Sequence, residues 1–416
     1  MKPKELVNCP LCDASITGNI LDLNCGNFDN STLYKSVKIR VCEECGHVYN
    51  RLSPDEIVGL MKYYNEEYAP ANIGATDKTG DRPGSNNQNT IGRYDQLYNL
   101  ISNYINSDFK ILDIGCGMGG FLDYLYTQGQ KNLSGIDVTV KYVDYAKKNG
   151  RYDIKLGNAE LIPFDNNSFD LLIIEQVLEH LVEPIKAFQE AKRVLVEGGL
   201  FCIGVPDASR YDKTYFFDFY WFIMREHIQH FDLEHLKLLA RMEGFELVSY
   251  CIAETSIVSE KMIMATLNVI FRLANTDGKM KITKECFRLK NEIENYVADE
   301  LDRLKKKRAV IDRLVESQRP VYVWGIGREF LYLYEAAGLK YCNIVGLIDA
   351  NEYKQNNFML DGKKIMGRTI LNKSVADSVL IITAIAHEDA IKAELCATGY
   401  KGEIFELSNF EEKRRC

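Results

Sequence analysis

Asp113-Ile114-Gly115-Cys116-Gly117-Met118-Gly119-Gly120 decides how the middle of this chain folds. It follows an apolar run of strand character, Lys110–Ile114, and opens a segment of helical pattern, with Gly115, Gly117 and Gly120 in a G-x-G-x-x-G spacing. Glycines so placed permit a tight strand-to-helix turn and let the backbone pass close to a ligand. Outward from this turn, between residues 93 and 255, helical patterns alternate with short β-rich runs: Lys110–Ile114, Leu133–Ile136, Leu171–Ile174, Leu200–Val205 and Phe245–Tyr250. That βα series predicts an α/β fold with a mainly parallel, doubly wound sheet.

Upstream, Cys9-Pro10-Leu11-Cys12 and Cys42-Glu43-Glu44-Cys45 form two C-x2-C knuckles, with Gly46 directly after the second. Each knuckle presents two thiolates to one ion. Cys9, Cys12, Cys42 and Cys45 together make the closed tetrahedron of a structural Zn²⁺ site, a zinc ribbon within residues 1–75. Cys25 and His47 rank below them as substitute ligands. Residues 76–90 are almost purely polar and rich in turn formers, which marks a linker at 76–92 ahead of a core at 93–282. Residues 283–317 are charged and proline-free, with Phe287, Ile293, Val297, Leu301 and Leu304 at helix-compatible intervals, and predict a long connecting helix. A second βα series over 318–416, with strands at Val321–Trp324, Ile344–Ile348 and Val379–Thr383, predicts a second Rossmann-like domain.

Composition limits the partners. A chain of 416 residues, 46% hydrophobic and 26% charged, is ordered, globular and long enough for several domains. Its 59 acidic against 51 basic residues give a net charge of −8, which opposes binding to nucleic acid. No window approaches the roughly 18 apolar residues of a membrane span, so a cytoplasmic protein without a membrane partner is expected. Twelve cysteines in a reducing compartment do not predict a disulfide framework.

Asp137 ends the strand after the glycine turn, where a carboxylate accepts hydrogen bonds from ribose hydroxyls, as in both nicotinamide and S-adenosylmethionine sites. Asp113 separates the two. A negative charge before the glycines gives a pyrophosphate loop nothing, but attracts a cationic sulfonium and ammonium ligand. With S-adenosylmethionine as electrophile, the chain must position a nucleophile and hold a base. After Phe201–Val205 come an aromatic-rich insertion, Tyr211 to Phe222, and then Arg225-Glu226-His227-Ile228-Gln229-His230-Phe231, with Asp232 capping a helix from Leu233. His227 and His230 fall on the loop side of this cap, outside the carboxyl ends of the strands, and are candidate bases, with Glu226 orienting or acting itself. His235, inside the helix, reads as structural.

Further segments, Gly157-Asn158-Ala159-Glu160-Leu161-Ile162-Pro163-Phe164, Ser168-Phe169-Asp170-Leu171-Leu172 and Glu175-Gln176-Val177-Leu178-Glu179-His180-Leu181, resemble class I S-adenosylmethionine-dependent methyltransferases over residues 110–205. The resemblance implies methionine and ribose near Asp113, Gly115, Cys116 and Gly117. It puts the ribose hydroxyls on Asp137, the adenine edge at Asn158 and Ala159, and Glu175 at the end of the fourth strand. His180 marks this fold more than its chemistry, though it is kept as a candidate.

The order of ribbon, linker, core and glycine-containing tail resembles the nucleotide-sugar C-methyltransferases of deoxysugar pathways. That family methylates a carbon beside the keto group of a nucleotide-linked sugar, with a histidine in a Tyr-x-Glu-His segment as base. The resemblance implies that His227 generates an enolate beside Glu226, that Tyr64 and Tyr68 flank the approach, and that the tail helps hold the nucleotide. Met224 replaces the family's tyrosine, Arg225 precedes the glutamate, and Ala69-Pro70-Ala71-Asn72 replaces a serine-rich stretch. These departures leave O- or N-methylation of a sugar or related metabolite, and a non-catalytic cofactor-binding scaffold, as alternatives. An RNA methyltransferase is disfavoured by the acidic charge and the missing Asn/Asp-Pro-Pro-aromatic motif. In the tail, Trp324-Gly325-Ile326-Gly327-Arg328-Glu329 and Asp349 lack a third glycine, which leaves a phosphate site at the helix amino terminus, assisted by Arg328, as the remaining ligand reading. Oligomeric state has no signature here.

Overall fold

The computed structural model describes residues 8–24, 26, 32–69, 83–148, 150–213, 223, 225–256, 263–274, 278–279, 281–373 and 376–414. Cys25, Met224 and most of the aromatic-rich insertion lie outside them.

The amino-terminal strands β1 (Thr17–Asn24), β2 (Ser36–Cys42) and β3 (Val48–Asn50) are joined by β9 (Gln229–His230) in one four-stranded sheet. Val48 pairs with His230 and Tyr49 with Gln229, antiparallel. The edge of β3 would otherwise carry unpaired N–H and C=O groups, and a strand distant in the sequence covers it. Ser53 and Glu56 form a capping box for the helix Pro54–Lys62, which runs on into a π-turn, Tyr63–Glu67.

The central sheet runs β10-β11-β8-β7-β4-β5-β6. Its members are β4 (Lys110–Ile114), β5 (Asn132–Asp137), β6 (Asp153–Leu156), β7 (Phe169–Glu175), β8 (Leu195–Pro206), β10 (Phe245–Ser256) and β11 (Ile263–Leu273). Strands β4 to β8 pair in parallel as expected, whereas β11 is antiparallel to both its neighbours. The sequence reading missed β6 and β11. Nearly every residue of β11 is buried, so it carries no alternation that tells a strand from a buried helix. The helix Gln88–Ile101 begins inside the expected linker and buries Tyr94, Leu97 and Ile101 against the core of β4, β5 and β7.

The tail forms a separate sheet in the order β14-β15-β13-β12-β16-β17-β18. It contains β12 (Val321–Trp324), β13 (Ile344–Ile348), β14 (Met359–Leu360), β15 (Lys363–Met366), β16 (Val379–Ile382), β17 (Glu403–Glu406) and β18 (Asn409–Arg414). Its five inner strands are parallel, and antiparallel hairpins flank them. The expected connecting helix is Arg288–Ser317, preceded by a 3-10 turn, Lys284–Phe287.

Two compact units result, one of residues 1–20, 38–214 and 226–294, the other of 21–37, 215–225 and 295–416. The ribbon and core, expected as separate domains, share the first unit. Residues 21–37 join the second, where Arg225 Nη1 donates to the carbonyls of Gly26 and Tyr34 at 3.2 and 2.9 Å. Among the described residues nine cysteines are free thiols, and Cys396 is disulfide-bonded. Among the described residues no helix is long and apolar enough to cross a membrane.

In the first unit, the fully buried Phe188 stacks edge-on against Phe201, Phe245 and Phe271, with centroids at 5.1, 5.8 and 6.3 Å. This cluster ties the helix Pro184–Val194 to the antiparallel half of the sheet. Phe188→Ala is expected to cost about 3–5 kcal/mol of stability, read as a lower denaturation midpoint in urea.

Candidate functional site

The carbonyl of Ile136 receives the N–H groups of both Gly115 and Cys116 at 2.8 and 3.0 Å, which pins the glycine turn to the end of β5. Gly115 and Gly117 have φ of +81° and +53°, a region that disfavours any side chain. The Gly117 and Thr139 N–H groups donate to the two carboxylate oxygens of Asp137 at 3.0 and 2.8 Å. Gly120 is required by the chain itself: a Cβ there would lie 2.5 Å from the Ser85 carbonyl oxygen. Residues 83–85, read as linker, cross the turn, with Gly120 N–H on the Gly84 carbonyl at 2.8 Å and Met118 N–H on the Pro83 carbonyl at 3.2 Å.

Asp113, Asp137 and Glu175 converge behind this turn and repel one another. Burial pushes Asp113 up to about 8, with Glu175 and Asp137 adding to the shift. Burial also raises Asp137, against the backbone N–H groups that lower it. Glu175 is paired with Arg93 Nε at 2.8 Å. Arg93 went unrecognised in the sequence, because a single arginine on a polar helix carries no signal. Two buried carboxyls and a part-buried third beside one arginine fit a cationic ligand, which is the chemistry of S-adenosylmethionine.

Asn158 bridges to Leu161 and lines a cavity of about 1120 Å³ together with Val138 and Leu156, and Ala159 is buried beside it. Tyr64 and His180 line the same cavity. The π-turn places Tyr64 against His180 and Tyr63 against Glu226. Tyr64 Oη lies 3.1 Å from His180 Nδ1, and the Tyr63 hydroxyl donates to Glu226 Oε1 at 3.4 Å. Tyr68 instead packs on Tyr64 and Tyr142. His227 is buried against His180, with ring centroids 5.0 Å apart.

The structure thus brings together Glu226, His227, His180 and the tyrosine pair, and not His230. On β9, His230 is fully buried, its Nδ1 lies 3.1 Å from Tyr211 Oη, and burial pulls its pKa down to about 3. A ring so held is a poor proton acceptor at neutral pH. His235 is structural as read, held by Asp232 at 2.6 Å and by the Cys45 carbonyl at 3.1 Å. Sequence reasoning passed over Tyr63 and gave Glu179 no role.

The sulfurs of Cys9 and Cys45 are 3.6 Å apart and those of Cys12 and Cys42 3.5 Å, and all four lie within 4.8 Å of one another. A tetrahedral ion with Zn–S of about 2.3 Å requires spacings of this size, so the donor set fits Zn²⁺. His47 stands apart, its Nε2 bonded to Gln229 Oε1 at 2.9 Å. In the tail unit, Ile326 N–H donates to Asp349 Oδ2 at 2.9 Å and Lys354 Nζ salts the same oxygen at 2.8 Å. An internal lysine and a backbone amide thus share the carboxylate that follows β13.

A family model described as a methyltransferase domain matches residues 112–203. An uncharacterized methyltransferase of Schizosaccharomyces pombe is 32% identical over 131 residues, 27% of this chain and 46% of that protein. The ubiquinone/menaquinone biosynthesis C-methyltransferase of Campylobacter jejuni is 31% identical over 25% of this chain and 47% of its own length. The chain spans less than half the length of these curated relatives. A solved S-adenosylmethionine-dependent methyltransferase from Methanosarcina mazei aligns at 22% identity with a TM-score of 0.36, covering 42% of this chain and 96% of that one.

Because Asp113 ionises only as pH rises through about 8, a cationic ligand gains its partner in that window. S-adenosylmethionine affinity, measured by calorimetry, is expected to rise across it in the wild type and to lose that rise in Asp113→Asn.

Proposed function

We propose, from the premise that residues 112–203 are a class I S-adenosylmethionine-dependent methyltransferase domain, that the whole chain methylates a nucleotide-linked keto sugar, at the carbon beside the keto group. The observation that carries this reading is the cluster of His227, His180, Glu226, Tyr63 and Tyr64, whose Tyr64 and His180 line the same cavity as Asn158. A base beside the cofactor is what carbon methylation needs, because a carbon acid must lose its proton to become a nucleophile.

When bound, S-adenosylmethionine supplies an electrophilic methyl group on a positive sulfur. Asp113 and Asp137 hold its charged and ribose parts, and the glycine turn lets the backbone approach it. His227 takes the proton from the sugar carbon, leaving an enolate. Glu226, whose Oε1 accepts from Tyr63, places a carboxylate next in sequence to that ring. Cys9, Cys12, Cys42 and Cys45 hold a structural Zn²⁺ that fixes the ribbon.

The replacement of the family tyrosine by Met224, next to an Arg225 that ties the chain to Gly26 and Tyr34, supports a second reading: O- or N-methylation, which needs a weaker base.

Incubation with nucleotide-linked 4-keto and reduced sugars in deuterated water, followed by mass spectrometry, separates the two. A methyl gain with solvent deuterium beside the keto group is the expected outcome, and a gain on reduced sugars alone overturns carbon methylation. His227→Ala is expected to lose about 10²–10⁴-fold in turnover while binding S-adenosylmethionine as before. Elemental analysis is expected to find zinc in the purified chain, and Cys42→Ser to lose it together with the stability of the amino-terminal sheet.

A further inference from the structure

Glu179 is 2% exposed, and neither of its carboxyl oxygens has a hydrogen-bond partner among the described residues. A bare carboxylate there would be an uncompensated buried charge, so the group requires a proton or a cation. Its Oε1 faces His180 Nε2 at 3.7 Å.

The tautomer of His180 follows from its other nitrogen. Nδ1 lies 2.8 Å from the carbonyl oxygen of Glu226. A carbonyl only accepts, so Nδ1 carries the hydrogen and neutral His180 turns the lone pair of Nε2 toward Glu179. A proton on Glu179 satisfies both groups at once, and catalytic hydrogen bonds that are long in a ligand-free site tighten on binding. The backbone of Glu179 holds the other flank of the same segment, its carbonyl accepting from Ile228 N–H at 2.8 Å. Glu179 therefore reaches residue 226 through His180 and residue 228 directly, with His227 between them.

We propose that Glu179 is held as a neutral carboxylic acid and serves as a positioning residue, donating to His180 Nε2 so that His180 Nδ1–H anchors the Glu226 carbonyl and fixes His227. The proposal rests on His227 as the base. The groups that face Glu179 are Glu175 on β7, Arg93 on the helix Gln88–Ile101, Tyr211, His180 and His227. Burial and Glu175 hold the Glu179 carboxyl near 8, with its own backbone N–H and Arg93 opposing. Above that pH the acid ionises, the donor to Nε2 is lost, and the anchor loosens.

The alternative for the same cluster is a divalent cation, because single ligand atoms of Glu179, His180 and His227 lie within 4.8 Å of one another. Glu179→Gln separates the two: its amide donates to Nε2 but is a weak metal ligand. The expected result is that Glu179→Gln keeps kcat within about threefold and loses the alkaline decline near pH 8, while Glu179→Ala loses at least about tenfold with S-adenosylmethionine affinity retained. If Glu179→Gln folds and binds S-adenosylmethionine yet is as inactive as Glu179→Ala, the proposal is overturned. A divalent metal beyond the zinc of the cysteine cluster, lost in the same variant, overturns it in favour of the cation.

A readout independent of the substrate is the infrared difference spectrum between wild type and Glu179→Gln at pH 7, where a protonated carboxyl stretch is expected and a carboxylate band overturns the proposal. If that acid stretch is present while no keto sugar is methylated, the substrate assignment fails and the anchor stands.

Discussion

The backbone of Ile228 is the contact on which the site depends. Its N–H donates to the Glu179 carbonyl at 2.8 Å, in the segment after β7, and its carbonyl accepts from Asn50 N–H at 2.7 Å, at the end of β3. The ladder continues through Val48 with His230 and Tyr49 with Gln229. One short stretch of chain is thus bonded to the methyltransferase sheet on one side and to the cysteine-bearing sheet on the other. Its buried amides have no water to fall back on, so breaking either side leaves polar groups unsatisfied. His227 precedes Ile228 and inherits its position from both partners.

The second constraint is charge. Asp113, Asp137 and Glu175 are gathered behind the glycine turn, and the cost of gathering them appears as raised pKa values for Asp113 and Asp137 and in the Arg93 ion pair of Glu175. Glu179 lies next along the chain in the same buried region, with no hydrogen-bond partner for its carboxyl oxygens among the described residues. A positive ligand relieves the first group, and protonation relieves the second. The two sets of carboxyls have different solutions because Asp113 faces the cofactor turn while Glu179 faces a histidine whose proton is already committed elsewhere.

The two glycine turns show how much a matching pattern leaves open. In the core, Gly120 matters because residues 83–85 run over it, and Asp137 is braced by two backbone amides. In the tail, Gly325 is equally indispensable, since a Cβ would lie 2.5 Å from the Ala384 nitrogen, yet Lys354 sits on the acid that a ribose would need. The glycines are alike in both turns. The neighbours of the acid differ, and they come from elsewhere in the chain.

What the sequence by itself determined is local: the glycine turn after Lys110–Ile114, the acids Asp113 and Asp137 at fixed offsets from it, the two cysteine knuckles, the helix cap at Asp232, and the long helix Arg288–Ser317. Each is specified by residues within a few positions of one another, through turn geometry, capping or periodicity. Only the tertiary structure decided that His227 and not His230 meets His180, that Arg93 neutralises Glu175, that β11 enters antiparallel, and that β9 completes the cysteine-bearing sheet. Those outcomes pair residues far apart in the chain. Burial and strand pairing select among several equally polar side chains, and no local pattern records which one the fold turns inward.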